Sequence, residues 1–306
     1  MDDAKLIERL SRPKPRVNVV LDTDAFNEVD DQFALSYLIH AGQNVRAICA
    51  APFLNDKSQS PKDGMERSYD EIKKLLRLAD REDIPVYKGS EGYLPNETSP
   101  VASEAADRVI ELADASGDES LYVIAIGAIT NVASAIIKRP DIIEKIVIVW
   151  LGGNAFEWPD TKEFNLYQDI AAARVIFDSK VPLVLLPCMG MVTHLTTTEP
   201  ELRHWLKGKN ALADYLYDLT VGDTEPHSGG RAWSRVIWDA SAVAWLLNGD
   251  FARSYLRHSP VVSYEGRYSF DNTRHFIRYV YALDRDGIFT DMFNKIAGAK
   301  TSGGQQ

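Results

Sequence analysis

The chain has 306 residues, a net charge of −10 and a hydrophobic fraction of 45%, which is enough apolar material for one large domain. The acidic balance, without any block rich in Lys and Arg, argues against a nucleic-acid surface. No apolar run reaches the about 18 residues that a membrane helix needs, and the N-terminus lacks the apolar segment of a signal peptide. We therefore expect a cytoplasmic protein that contacts no membrane.

Short apolar runs alternate with helical stretches through the first two thirds of the chain, which is typical of a parallel sheet with crossover helices. The sequence predicts strands over residues 17–21, 45–50, 84–87, 121–126, 146–151 and 182–186, and helices over residues 31–41, 65–79, 102–115, 130–137 and 170–178. This order predicts an α/β fold, an open and mostly parallel Rossmann-like sheet flanked by helices.

The pattern changes in the last third of the chain. Residues 199–219 and 239–247 read as helices around a polar stretch, and the runs 260–264 and 275–283 read as strands of a C-terminal antiparallel addition. A closing helix is predicted over residues 290–297. No repeat or linker divides the sequence, so residues 1–300 are predicted to form a single domain, followed by a disordered tail over residues 301–306.

The segment after the first predicted strand is crowded with acidic residues. Asp22, Asp24, Glu28, Asp30 and Asp31 fall within ten residues, where the strand ends and a helix begins. Such carboxylates repel one another and need a cation or shared protons to coexist in a folded site. Oxygen ligands suit a hard cation such as Ca²⁺ or Mg²⁺, and no Cys/His cluster favours zinc. Because ligands of such folds bind at the carboxyl ends of the strands, a cation-assisted site is predicted there.

Four sequence blocks resemble the nucleoside hydrolase family, of the inosine–uridine-preferring type. In chain order they are the acidic segment of residues 21–35, similar to the family's D-x-D-x-x-x-D-D opening; the turn of residues 126–131; the Gly-Gly and Glu-Phe-Asn segment of residues 151–169; and the helix start of residues 238–247. The resemblance runs from residue 17 to about residue 248. One block alone is weak, but four blocks in the family's order are a specific signal.

The resemblance implies a calcium site and a set of catalytic carboxylates. Asp24 would ligate Ca²⁺ and act as general base on a metal-bound water, and Asp31 would bind the same ion. The backbone carbonyl of Ile126 would be a further ligand. Asp239 would complete the metal shell and contact the ribose 3′-hydroxyl, while Asp30 would hold the 2′-hydroxyl. Nearby carboxylates also stabilise the oxocarbenium-like state through which an N-glycosidic bond is cleaved.

The resemblance also implies residues that hold the substrate. Asn165 and Glu163 would bind the ribose 3′- and 5′-hydroxyls. Asn55 stands in for an asparagine at the exit of the second strand, and Asn154 is the candidate for the asparagine that follows the Gly-Gly pair. Asp22 would orient its neighbours rather than touch substrate.

Several of these polar residues have a plainer interpretation as caps. Asn165 could cap a turn and Asp239 the helix that it opens. Asp169 is predicted to be an N-cap outside the site, because an alanine-rich helix follows it. Thr130 and Asn131 are predicted to cap the next helix rather than touch substrate.

The acidic segment departs from the family pattern by two extra residues. Asp24 and Asp30 are six positions apart, whereas the pattern has four. The loop must therefore bulge, and Asn27 or Glu28 is a candidate to face the pocket.

A second departure is Trp238, which stands where many members carry a histidine that protonates the leaving base. An indole there predicts stacking on a purine base, with Trp158, Phe156 or Trp233 as a partner ring. His227, in the polar segment before it, is the alternative proton donor.

The resemblance therefore implies an N-ribohydrolase: Ca²⁺-dependent hydrolysis of the N-glycosidic bond of ribonucleosides, releasing ribose and free base. Its partner would be a small-molecule nucleoside, and the chain would form a homodimer or homotetramer. Two alternatives on the same fold remain open, a hydrolase of another ribosyl or glycosyl compound and a non-catalytic ribose-binding module. A haloacid-dehalogenase-type phosphatase also places D-x-D after a first strand, but Phe26 stands where that family has Thr or Val.

Overall fold

The computed structural model describes residues 1–247 and 249–298, so the tail predicted for residues 301–306 lies outside the described residues. The strands of this part, in chain order, are β1 Asn18–Thr23, β2 Asn44–Ala50, β3 Val86–Lys88, β4 Leu121–Ala125, β5 Ile146–Leu151, β6 Leu183–Leu186, β7 Thr196–Thr197, β8 Arg235–Val236, β9 Ala252–His258, β10 Val261–Val262, β11 Tyr268–Ser269 and β12 Phe276–Leu283.

The helices surround these strands. They are α1 Asp3–Arg9, α2 Val29–Ile39, α3 Pro61–Leu78, α4 Glu104–Asp114, α5 Thr130–Lys138, α6 Phe164–Gln168, α7 Ile170–Asp178, α8 Glu199–Trp205, α9 Ala211–Thr224, α10 Ala240–Leu247 and α11 Arg285–Ile296. None of the described helices is long and apolar enough to span a membrane.

The central sheet has the order β3-β2-β1-β4-β5-β6-β12-β9 in the described part of the chain. All neighbouring pairs are parallel except β12 and β9, which run antiparallel. The chain leaves β1 toward β2 and β3 on one side and returns to β4 on the other. Strand order reverses at this point, and the crevice beyond the carboxyl ends of β1 and β4 is where such sheets bind ligands.

Both faces of the sheet are covered. The helices α2, α10 and α11 pack on one face, and α4, α5 and α7 pack on the other. Every residue of β5 is buried, which explains its continuous apolar sequence, since a strand covered on both faces has no solvent side. Helix α2 is buried along its whole length, so the acidic residues of its first turn are held inside the protein.

The predicted fold class is confirmed. Each of the six predicted parallel strands is present within two residues of its predicted bounds, and the helix predicted over residues 170–178 matches α7. The antiparallel addition is also confirmed, although its strand is β9, which was not predicted. The run 275–283 instead forms β12, parallel to β6, and in the described part of the chain β10 pairs with β11 in a separate two-stranded sheet.

The helix predictions were wrong in detail at several places. The helix predicted over residues 199–219 is two helices, because Gly208 adopts a φ of +76° between them and Asn210 caps the second. A left-handed residue of this kind ends a helix at little steric cost when it is glycine. Helix α11 begins five residues earlier than predicted, because Asp284 caps it by accepting a hydrogen bond from the backbone of Gly287. Helix α1 was not predicted.

Candidate active site

Strand β1 and helix α2 bring four aspartates to the same end of the sheet. Asp22 lies near the end of β1 and Asp24 directly follows it, while Asp30 and Asp31 lie in the first turn of α2, and each of the four is at most 4% exposed. The two extra residues between them form a turn in which the Asn27 N–H donates to the Asp24 carbonyl at 2.7 Å. The bulge predicted from the sequence is therefore accommodated before α2 begins.

A fifth carboxylate joins them from the residue before α10. One carboxylate oxygen each from Asp30, Asp31 and Asp239 lies within 4.8 Å of the other two. Asp31 also accepts a hydrogen bond from the Thr23 hydroxyl. Asp31 and Asp239 were predicted to be metal ligands, and Asp30, which was predicted to contact ribose, lies in the same cluster.

Asp24 is fully buried, and neither of its carboxylate oxygens has a hydrogen-bond partner among the described residues. One oxygen of Asp30 also lacks a partner. An uncompensated buried charge costs several kcal/mol, roughly, unless an opposite charge accompanies it. The oxygen-only donor set and its unpartnered atoms therefore fit a hard divalent cation, for which Asp24, Asp30, Asp31 and Asp239 are the available side-chain ligands.

The electrostatics of the site agree with this requirement. Burial, with the neighbouring charge of Glu28, raises the pKa of Asp30 to about 7, although the guanidinium of Arg235 opposes the shift. Burial is also the largest cause that raises the pKa values of Asp24 and Asp31 well above their ordinary range, and the charges of neighbouring aspartates add to it. A bound cation favours the charged forms of such groups.

Asn131 holds the ends of the strands together beneath these carboxylates. Its side-chain N–H groups donate to Asp22 Oδ1 at 2.8 Å and to the Ala50 carbonyl at 3.2 Å, and its Oδ1 accepts from the Ser90 backbone at 2.8 Å. Burial raises the pKa of Asp22 to about 7, and the hydrogen bond from Asn131 opposes that shift. Asn131 does not line the cleft, as predicted. It does not cap α5, however, but links the ends of neighbouring strands through its hydrogen bonds.

Gly127 has a packing reason to be glycine. A Cβ built on it would lie 2.7 Å from Asp24 Oδ1 and 3.2 Å from the Cβ of Ala51. Any larger residue would displace the Asp24 carboxyl group, so the turn after β4 sets the position of the proposed base.

The side of the crevice formed by α6 holds Glu163 and Asn165. Asn165 donates from its amide to the carbonyls of Ile126 and Leu151, each at 3.1 Å. The Glu163 carboxylate accepts from the backbone N–H groups of Gly153, Asn165 and Leu166 and caps α6. Burial raises the pKa of Glu163, and these N–H groups oppose that shift. Both side chains are therefore fixed in place before any substrate arrives.

These elements enclose a cleft of about 250 Å³. It is lined by Asn27, Glu28, Asp30, Asp31, Ile126, Leu151, Asn154, Lys162, Glu163, Phe164, Asn165, Cys188, Met189, Trp238 and Asp239. Sequence reasoning did not find Lys162, Phe164, Cys188 or Met189. The position of Phe164 between two predicted ligand-binding residues was the signal that could have identified it.

The lengthened acidic loop reaches this cleft, since Asn27 and Glu28 both line it. Arg235 on β8 donates to Glu28 at 2.8 Å. Asn55 does not line the cleft, but it donates from its amide to Asn27 Oδ1 at 2.7 Å. Asn154 lines the cleft while its amide donates to the Asp160 carbonyl.

The predicted aromatic residues are placed differently. Trp238 lines the cleft, and Phe164 is the second aromatic ring there. Of the partner rings predicted for Trp238, Phe156 stacks on Tyr279 at 4.4 Å, and neither it, Trp158 nor Trp233 lines the cleft. His227 is exposed, contacts the Asp223 carbonyl and does not line the cleft either. Asp169 caps α7, as predicted.

The fold and these side chains define an α/β protein with a buried cluster of carboxylates at the switch-point crevice of its sheet. The pattern of the family described as inosine-uridine preferring nucleoside hydrolase matches residues 19–289. The chain therefore belongs to this family of N-glycosidases, and the predicted resemblance is confirmed.

Individual relatives agree with this assignment. A pyrimidine-specific ribonucleoside hydrolase of Escherichia coli is 30% identical over 140 residues, which cover 44% of each chain. A plant nucleoside hydrolase structure has 19% identity and a TM-score of 0.76 and covers 93% of this chain and 99% of its own. A purine-preferring ribonucleoside hydrolase from Gardnerella vaginalis has 21% identity and a TM-score of 0.71, with 92% and 98% coverage. The matches to curated relatives span 44% to 65% of those proteins' lengths, and the structural likeness shows the fold.

Proposed function

We propose that the protein hydrolyses the N-glycosidic bond of ribonucleosides in a Ca²⁺-dependent reaction that releases ribose and the free base. The observation that carries this proposal is the fully buried Asp24 carboxylate, which has no partner and lies beside the cluster of Asp30, Asp31 and Asp239. The family membership supports it, and the names of the E. coli and Gardnerella relatives are consistent with it.

The residues that line the cleft, and Asp24 next to them, have distinct proposed tasks. Asp24, with two oxygens that accept nothing else, takes the proton of the attacking water. Asp30, Asp239, Glu163 and Asn165 hold the ribose hydroxyls and place C1′ next to that water. Because these groups are already fixed in position, less entropy is lost when the ribose and the attacking water are brought together.

A divalent cation, when bound, would orient the water and the ribose diol and lower the barrier to deprotonation. Asp24, Asp31, Asp239 and the Ile126 carbonyl would hold it, and Asp30 lies within the same cluster. The Ile126 carbonyl also accepts a hydrogen bond from the side-chain amide of Asn165. We propose Ca²⁺ because the ligand set consists of carboxylates and a backbone carbonyl.

Trp238 supports a preference for purines, since its large ring lines the cleft together with Phe164. The relatives named above do not agree on the base, because one is pyrimidine-specific and another purine-preferring. A cytoplasmic location, a homodimer or homotetramer, and a single domain over residues 1–300 complete the proposal. A hydrolase of another glycosyl compound and a ribose-binding module are its alternatives.

The test compares variants of one carboxylate. Asp24→Ala and the isosteric Asp24→Asn should release ribose at least about 100-fold more slowly than the wild type, which is the scale of a preorganised electrostatic contact. Asp118→Asn, a surface control, should match the wild type. Cooperative thermal unfolding shows that each variant is folded. A folded Asp24→Ala protein with wild-type turnover would contradict the mechanism.

A further inference from the structure

We propose that this cleft selects nucleosides whose base carries a positive charge, such as an N-ribosyl pyridinium or an N7-alkylated purine, with Glu28 as a specificity-determining residue. This inference rests on the proposed N-ribosyl hydrolysis and names its substrate class. Three observations support it: the groups available to protonate a leaving base, the charge around Glu28, and the aromatic faces of the cleft.

No histidine is among the described residues that line the cleft. His227, the candidate donor, is exposed and its ring contacts the Asp223 carbonyl at 2.8 Å. The cleft's one lysine, Lys162, places its ammonium over the ring of Tyr167, 5.8 Å from the centroid. A neutral base needs a proton in order to leave, whereas a cationic base does not. The replacement of the family's histidine by Trp238 therefore does not prevent the departure of a cationic base.

Glu28 is a carboxylate that the two extra loop residues bring to the cleft. Its Oε2 accepts from Arg235, while Oε1 accepts no hydrogen bond from the described residues, and the side chain is 45% exposed. Arg235 also lies 3.5 Å from Asp223, which Lys57 contacts at 3.4 Å, so Glu28 is paired through Oε2 alone. The free oxygen of Glu28 remains available to a positively charged ligand.

Glu28 also lies where the cleft meets a neighbouring cavity of about 500 Å³, because Asn27 and Glu28 line the cleft and this cavity alike. The charged side chains of this second cavity are Glu28, Asp56, Glu71, Asp223, Lys57 and Arg67, which are four acids and two bases. Lys57, Arg235 and Lys74 pair with Asp223, Glu28 and Glu71, so the attraction for a cation at this junction comes from the unpaired Oε1 of Glu28.

The aromatic rings complete the site. Trp238 and Phe164 line the cleft on which Glu28 opens. The face of an aromatic ring attracts a cation, and tryptophan does so most strongly. A flat heterocyclic cation gains both from stacking on such a ring and from the carboxylate beside it, whereas a neutral base gains only from the stacking.

The reaction balances without a proton donor. The C1′–N bond breaks and its electron pair returns to the ring nitrogen, so the base leaves as a neutral molecule. Water supplies the oxygen of the new C1′–O bond, and its proton passes to Asp24 and then to solvent. The products are ribose, a neutral heterocycle and a proton.

The experiment measures kcat/KM for 7-methylguanosine and for guanosine in mildly acidic buffer, in which the methylated ring is a cation. Each rate is divided by the spontaneous hydrolysis rate of the same nucleoside, because the cation is intrinsically more labile. The comparison uses the wild type, Glu28→Gln, and the control Glu225→Gln, which alters an exposed glutamate outside the cleft.

We expect a corrected preference for the cation in the wild type and in Glu225→Gln. In Glu28→Gln this preference should fall about fivefold, the upper range for a partly exposed charge pair. An equal preference in Glu28→Gln and the wild type, or a corrected preference for guanosine, would overturn the inference. A loss of guanosine cleavage alone in Lys162→Gln would also overturn it, since it would identify Lys162 as the proton donor.

The outcomes distinguish a failure of this inference from a failure of the proposed hydrolase function. Ribose release from guanosine without any preference for the cation contradicts the inference and leaves the hydrolase intact. Ribose release from neither nucleoside, with Ca²⁺ present, contradicts both.

Discussion

A cation bound among buried carboxylates should stabilise the fold as well as support catalysis. The four aspartates of β1 and α2 are at most 4% exposed, and Asp24 has no hydrogen-bond partner among the described residues. We predict that adding Ca²⁺ to chelator-treated protein raises its melting temperature, and that Asp31→Asn removes most of this effect. Asp31 is the informative position because it lies in the cluster with Asp30 and Asp239.

The size of the effect follows from linkage. A free ion concentration 100 times the dissociation constant stabilises the folded state by about 2.7 kcal/mol. Unfolding of 306 residues carries an entropy of roughly 0.64 kcal/mol per kelvin, at about 2.1 cal/mol per kelvin per residue. The quotient is a rise of about 4 °C in the melting temperature.

The assay is scanning calorimetry of chelated protein titrated with Ca²⁺. Wild type and the surface control Asp118→Asn should show the full rise. Asp31→Asn should melt higher than the wild type without the ion, because a neutral amide replaces a buried carboxylate, and should respond little to Ca²⁺. An equal rise in Asp31→Asn and the wild type would place the ion elsewhere and refute the reasoning.

Three further predictions concern single residues. Gly127→Ala should reduce kcat about tenfold or more in a folded protein, because its Cβ would lie 2.7 Å from Asp24 Oδ1 and displace that carboxylate. Asn131→Ala should lower the free energy of unfolding by about 3 kcal/mol in urea titrations, because it leaves Asp22 buried without a partner. Burial lowers the pKa of His275 to about 4 from an ordinary value near 6.5. The unfolded chain therefore binds the extra proton, and the wild type loses stability relative to His275→Gln as the pH falls from about 6.5 to about 4, by roughly 2 kcal/mol after allowance for solvent screening.

Each of these predictions has a contrary result. Wild-type kcat in Gly127→Ala would show that Asp24 tolerates displacement. Wild-type stability of Asn131→Ala would mean that water replaces its hydrogen bonds. Parallel pH profiles for His275→Gln and the wild type would show that the histidine titrates alike in the folded and unfolded chains.

Elements set by local sequence could be predicted from the sequence. Strand β5 is apolar throughout because both of its faces are covered, and α7 begins where Asp169 caps it. Strand β9 was missed because polar residues, among them Arg253, Ser254 and Arg257, interrupt its apolar ones, a pattern that is equally typical of a loop. The break at Gly208 was missed because the helical pattern continues on both sides of it.

The carboxylates of the site could be predicted because they follow one another in the sequence. Contacts that depend on strand order could not. Asn131 meets Asp22 only because β4 lies beside β1, and Arg235 reaches Glu28 across 207 positions of sequence. The rings predicted as partners of Trp238 do not line the cleft, whereas Phe164 of α6 does, and the sequence does not show how α6 packs.

The most direct test of the central claim is free-ribose release from a panel of purine and pyrimidine nucleosides, before chelation, after chelation and after Ca²⁺ is restored. The proposed function predicts ribose release that chelation abolishes and Ca²⁺ restores, with purines preferred if Trp238 stacks on the base. Ribose release that is insensitive to chelation would contradict the role of the carboxylate cluster. No release across the panel from protein with Ca²⁺ demonstrably bound would contradict nucleoside hydrolysis itself.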